Sequence, residues 1–206
     1  MLIFIITSFV HLLLITFLLL GVNYDKEYQI KITKKDIPYF VICEIISLYL
    51  LYFYKQNLCL NVFLSVGLAF LIICAYTDKK TMFVYMFPTY ILFFLGIILE
   101  CITMKRFSCM IVIVFMLPII LGIFNAFGRG DISMCMVIGG VNYLLTFHIA
   151  ESLLIECFMI LLAEVFFIIK AIIEKNLKNP FCLKEKRPLG PSILISTFII
   201  LIGNIL

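Results

Sequence analysis

The sequence predicts an all-α, polytopic membrane protein: a single integral membrane domain over residues 1–206, with about eight transmembrane helices and both termini outside. Three observations carry this expectation. Of the 206 residues 65% are hydrophobic and only 14% charged, with a mean hydropathy of +1.21, which is more apolar surface than a soluble domain of this length can bury. Eight apolar runs approach the roughly 20 residues that a helix needs to cross a hydrocarbon core. Basic residues also gather in alternate loops, as they do when charge sets the orientation of spans.

The runs follow in order. The first, 2–22, lacks a basic leading region and a small-residue cleavage site, so it reads as a retained helix rather than a removed signal. The second, 38–54, is short and leaves Lys55 to snorkel at its end. The third, 58–77, stops at Asp78. The fourth, 82–104, is long and carries Pro88, which predicts a kink or tilt. The fifth, 107–127, holds Pro118 and Gly122 and runs into Gly128-Arg129-Gly130-Asp131. Runs 132–150, 152–169 and 189–206 complete the set. Most loops are short. The exceptions are Asn23 to Asp36, of mixed charge, and Lys170 to Pro188, which is strongly basic. No repeat or low-complexity linker divides the chain.

Orientation follows from the basic residues. With the N-terminus outside, thirteen Lys and Arg fall in inner loops and three, Lys55, Lys105 and Arg106, in outer ones, a strong positive-inside bias. The expected location is therefore the inner or plasma membrane, multi-pass. The net charge of +4 makes anionic membrane lipids the expected neighbours and not nucleic acid, because no basic run builds a soluble face. The eight cysteines form no C-x-x-C pair, which excludes a zinc ribbon or thioredoxin-type site. Most sit in apolar runs as small hydrophobes.

This topology brings two carboxylates to one side. Asp78 ends the third run and Asp131 begins the sixth, both on the cytoplasmic face. Two neighbouring carboxylates share a proton, because both cannot ionise cheaply. One can then take a proton from water while the other polarises a scissile carbonyl. Such hydrolysis needs no metal and no cofactor. Gly128 and Gly130 flank a tight turn that lets an extended backbone approach Asp131. The plainer reading is that each aspartate caps a helix.

Three segments resemble the type IV prepilin peptidases. Tyr76-Thr77-Asp78-Lys79-Lys80-Thr81, followed by Met82-Phe83-Val84, is similar to their first catalytic segment. Gly128-Arg129-Gly130-Asp131-Ile132, with Gly139 and Gly140 beyond, is similar to the second, and its Gly-x-Gly-Asp pattern is shared with preflagellin peptidases and presenilins. Pro188-Leu189-Gly190-Pro191 resembles the entrance to the family's last helix. The resemblance implies an aspartic endopeptidase that removes the basic leader of prepilin or pseudopilin precursors at the cytoplasmic face. Asp78 and Asp131 would be the catalytic pair, and Gly128, Gly130, Pro188, Gly190 and Pro191 would shape the site.

The chain departs from that family in three ways. No cysteine-bearing domain lies between the first two runs, which removes the basis for expecting N-methylation of the product. Ser133 stands where a lysine often follows the second aspartate. Tyr85 replaces a proline commonly found after the first.

Other polar residues sit inside the runs. His11 reads as a packed, hydrogen-bonded residue. Glu44 is expected to pair with a lysine or line a groove, and Glu100 to snorkel beside Lys105. Glu156 and Glu164, eight residues apart, fall on nearly one helix face. Asn125 could bond the turn, and Asp25, Glu27 and Asp36 are candidates to meet a cationic leader. Two other expectations remain: a small ion- or proton-coupled transporter using Glu44, Glu156 and Glu164, or an inactive homologue of the peptidase.

Overall fold

The computed structural model describes residues 1–24, 30–54, 57–82, 84, 87–105, 110–123, 129–173 and 188–205. Among them there are eight α-helices and no strand: α1 (Leu2–Tyr24), α2 (Ile37–Phe53), α3 (Leu58–Thr81), α4 (Phe87–Met104), α5 (Met110–Ile123), α6 (Arg129–Thr146), α7 (Ile149–Ile173) and α8 (Gly190–Gly203). A single 3-10 turn, Lys34–Asp36, precedes α2.

Local chemistry sets several of these boundaries. Asn57 caps α3, its Oδ1 accepting from the Cys59 N–H at 3.0 Å, which satisfies one of the unpaired donors of the first turn. At the other end Met82 turns left-handed (φ 56°) and donates its N–H to the Asp78 carbonyl at 2.8 Å. Phe147 does the same between α6 and α7 (φ 55°) and donates to the Tyr143 carbonyl. Each is the helix stop that glycine usually provides.

The bundle is organised around α3, which packs on α1, α2, α4, α6 and α8. Of its apolar window 78% is buried, against 17% for α1. α3, α6 and α8 pack on one another and form the centre. The outward faces of the other helices expose large apolar side chains such as Phe9, Phe17, Ile45, Phe94, Ile102, Leu154 and Leu161. An apolar belt of that extent is matched by lipid rather than water.

The expectation of eight spans is only partly met. Among the described residues four helices are long and apolar enough to cross a membrane: those within Leu2–Asn23, Lys34–Phe53, Leu58–Thr81 and Ile149–Lys170. Three more are apolar but shorter, Thr89–Met104, Met110–Ile123 and Gly190–Gly203. The 14 residues of α8 rise only about 21 Å, less than the roughly 30 Å of hydrocarbon. α6 falls in neither group, because glycines, Asp131, Ser133 and Asn142 dilute its hydropathy. It is a polar core helix that its neighbours surround.

Glu100 also departs from expectation. It does not snorkel: it is fully buried. Its carboxylate accepts the Met110 N–H at 3.1 Å, the Ile111 N–H at 3.2 Å and the Tyr143 hydroxyl at 2.6 Å. The first N–H groups of α5 have no partner within their own helix, and a carboxylate at a helix start also faces the positive end of the dipole. One side chain thus ties α4, α5 and α6 together.

Candidate active site

Asp78 lies in the last turns of α3 and is almost completely buried. Its Oδ2 accepts the backbone N–H of Gly190 at 2.7 Å. Gly190 is the first residue of α8, after Leu189 at the cap position, with Pro191 in the same turn. Proline suits this place because its missing N–H would be unpaired there anyway. The free N–H of the first turn therefore points at a carboxylate, and the hydrogen bond fixes how that carboxylate is turned.

The contact requires glycine. A Cβ at position 190 would stand 2.9 Å from Asp78 Oδ2, 3.1 Å from its Cβ and 3.2 Å from the Met134 sulfur. Gly190 is thus wedged between α3 and α6. Met134 lies three residues beyond Asp131 on α6, and residues three apart share a helix face.

Asp131 stands in the first turn of α6 and is half-buried. The neighbouring Gly130 presses on Val84, a buried residue just beyond α3; a Cβ there would come within 2.7 Å of the valine Cγ2. The two close approaches, Gly190 to Asp78 and Gly130 to Val84, bring the end of α3 and the starts of α6 and α8 to one end of the bundle. Both aspartates belong to that end, on helices that pack directly. Pro188 is half-buried beside it, and Ser133 is fully buried within α6. Gly128, Asn125, Tyr85, Asp25 and Glu27 lie outside the described residues, as do Lys55 and most of the basic loop before Pro188.

A third acid, Glu164, shares this level, and Glu156 fixes the register that places it there. Glu156, fully buried, packs its carboxylate against Gly139, where a Cβ would meet Oε2 at 2.8 Å. α6 and α7 are antiparallel neighbours joined by a short turn. Eight residues along α7 from Glu156 is Glu164, and eight residues back along α6 from Gly139 is Asp131. Glu164 is therefore level with Asp131. The eight-residue spacing of the two glutamates was visible in the sequence; their pairing with Gly139 and Asp131 needed the register of α6 on α7. Met134 and Val84 carried no polar signal and were missed.

Asp36 is already engaged. Its carboxylate takes the Lys80 ammonium at 2.9 Å, the Tyr76 hydroxyl at 3.0 Å and the backbone N–H of Thr33 at 2.9 Å. It clamps the turn before α2 to the end of α3.

A separate polar pair lies between α1, α2 and α3. His11 is fully buried; its Nδ1 is 3.0 Å from the Ser65 carbonyl and its Nε2 is 3.5 Å from Glu44 Oε2. A carbonyl only accepts, so Nδ1 carries the proton. Neutral imidazole would then turn an acceptor toward a carboxylate. The pair rests comfortably only with one further proton, on Nε2 or on Glu44.

No protein-family model matches this chain, and no curated protein or solved structure is detectably similar to it.

Proposed function

We propose that the protein is an aspartic endopeptidase of the prepilin-peptidase type, with Asp78 and Asp131 as the water-activating pair. The observation that carries this reading is the Gly190 N–H held on Asp78 Oδ2 at 2.7 Å. A helix start from the far end of the sequence is spent on orienting one carboxylate, at the end of the bundle where a second carboxylate begins α6. The pair would share one proton, the ionised member taking a proton from water and the protonated one donating to the scissile carbonyl oxygen. Gly130, without a side chain, lets Val84 pack against the start of α6 next to Asp131.

The substrate in this reading is a prepilin or pseudopilin precursor, cut just before its hydrophobic helix. Glu164, half-buried and level with Asp131, suits the cationic leader better than Asp36, whose charge Lys80 already neutralises. Co-expression with a prepilin tests the proposal. Wild type should shorten the precursor, while Asp78→Asn and Asp131→Asn should each leave it full length.

One observation favours a second reading. Glu156 is fully buried, and among the described residues neither oxygen has a hydrogen-bond partner; His11 faces Glu44 within the bundle. Intramembrane acids of this kind also mark proton paths. Proton flux into vesicles that is abolished by Glu156→Gln, with no leader cleavage, would select the transporter.

A further inference from the structure

Beside the acid end of the bundle runs a groove of about 550 Å³, walled by α2 and α7 and floored by α8. That volume is in the range of sites that take small molecules. Its walls are aliphatic and aromatic, with Ile42, Ile46, Leu194 and Phe198 among them, and two cations, Lys79 and Lys170, stand at one end. Both lysines are exposed, and neither makes an ion pair among the described residues. Lys80, their neighbour, is by contrast neutralised by Asp36.

We infer that this groove is a site for one anionic phospholipid. The apolar walls would hold an acyl chain along α8, and Lys79 and Lys170 would take the phosphate. Basic pockets between helices at a membrane surface bind anionic headgroups, each lysine adding attraction that a zwitterionic headgroup does not repay. A cationic leader is the wrong charge for this mouth, so the site is distinct in chemistry from substrate binding and does not depend on the peptidase reading. It is not remote from the pair, however. Pro191 and Ser192 line the groove immediately after Gly190, and Lys79 directly follows Asp78. A bound lipid would brace α8 at the turn that holds the carboxylate.

The test uses the purified full-length protein in detergent with equal amounts of dioleoyl phosphatidylglycerol and dioleoyl phosphatidylcholine, bound lipid being read by native mass spectrometry. Wild type should retain phosphatidylglycerol over phosphatidylcholine by about tenfold, from two lysines at the headgroup. The Lys79→Gln/Lys170→Gln variant should lose that preference. Both side chains are exposed, so the fold survives, and an unchanged thermal melt checks this. Ile42→Trp, which fills the groove wall and leaves both lysines, should lose retained lipid of either kind. Equal retention of the two lipids by wild type would overturn the inference. So would a preference that survives in the lysine variant, or full retention by Ile42→Trp. In vesicles of phosphatidylglycerol and phosphatidylcholine, a photoreactive side chain at position 42 should capture lipid; capture of a polypeptide helix instead would overturn it.

Discussion

The backbone N–H of Gly190 donates to Asp78 Oδ2 at 2.7 Å, joining residues 112 apart in sequence. Gly190→Ala should disrupt this contact, because its methyl would enter space already taken by Asp78 and the Met134 sulfur. Overpacking of this sort costs about 1–3 kcal/mol. We expect a lowered melting temperature and a larger proportional loss of leader cleavage, since the carboxylate itself is displaced. Cleavage at the wild-type rate would show that the Gly190 contact does not position a catalytic group.

Gly139→Ala tests the register of α6 on α7. Its Cβ would meet Glu156 Oε2 and Val114 Cγ1, both at 2.8 Å, with an expected cost of about 1–3 kcal/mol. Glu156→Gln preserves shape and should leave stability within about 1 kcal/mol of wild type, because among the described residues neither carboxylate oxygen has a hydrogen bond to lose. Chemical denaturation of the two variants side by side checks the contrast.

Tyr143→Phe removes the 2.6 Å hydrogen bond to Glu100 and leaves a buried carboxylate one donor short. The expected loss is about 1–3 kcal/mol. The fingerprint should change at the α4–α5 turn, where amide exchange of Met110 and Ile111 should quicken. Unchanged exchange there would mean that Glu100 does not cap α5.

The His11 geometry predicts a tautomer. Nitrogen NMR of labelled protein should find Nδ1 protonated, as its contact with the Ser65 carbonyl demands. A ring protonated on Nε2 alone would contradict the arrangement drawn here.

For the proposed hydrolysis, a pair sharing one proton gives a bell-shaped pH profile. Cleavage should fall as rising pH strips the shared proton and fall again as low pH protonates both carboxyls. The two apparent pKa values belong to the pair, so Asp78→Asn and Asp131→Asn should each abolish the bell rather than one limb of it. A profile rising on one side only would argue for a single working acid.

Much of the fold was legible because apolar runs of helical length announce themselves. The third run ends four residues short of the end of α3 at Thr81, and the sixth and seventh runs divide at Glu151, four residues beyond the observed turn at Phe147. The gathering of Asp78, Gly130–Asp131 and Pro188–Pro191 at one end is what alternating runs require, and the close contacts of Gly190 and Gly130 are consistent with it. What escaped the sequence depended on partners. Glu100 looks like a snorkelling residue because Lys105 is nearby; its real partners, the free amides of α5, exist only once α4 and α5 turn against each other. Asp36 looks like a free loop acid until Lys80 and Tyr76 reach it from α3. α6 reads as a run of span length; that its glycines and polar residues are surrounded by other helices emerges only from the packing. That Gly190 would meet Asp78 through its backbone carries no side-chain signal at all.

The central claim is that Asp78 and Asp131 act on one peptide bond as a unit. Its most direct test is the single-turnover rate of leader cleavage by wild type, Asp78→Asn, Asp131→Asn and the double variant, each reconstituted in vesicles with a prepilin. The account predicts that each single variant is slower by at least about a thousandfold and that the double variant is no slower than either, because residues of one catalytic unit do not add. Cleavage near the wild-type rate by either single variant would contradict it.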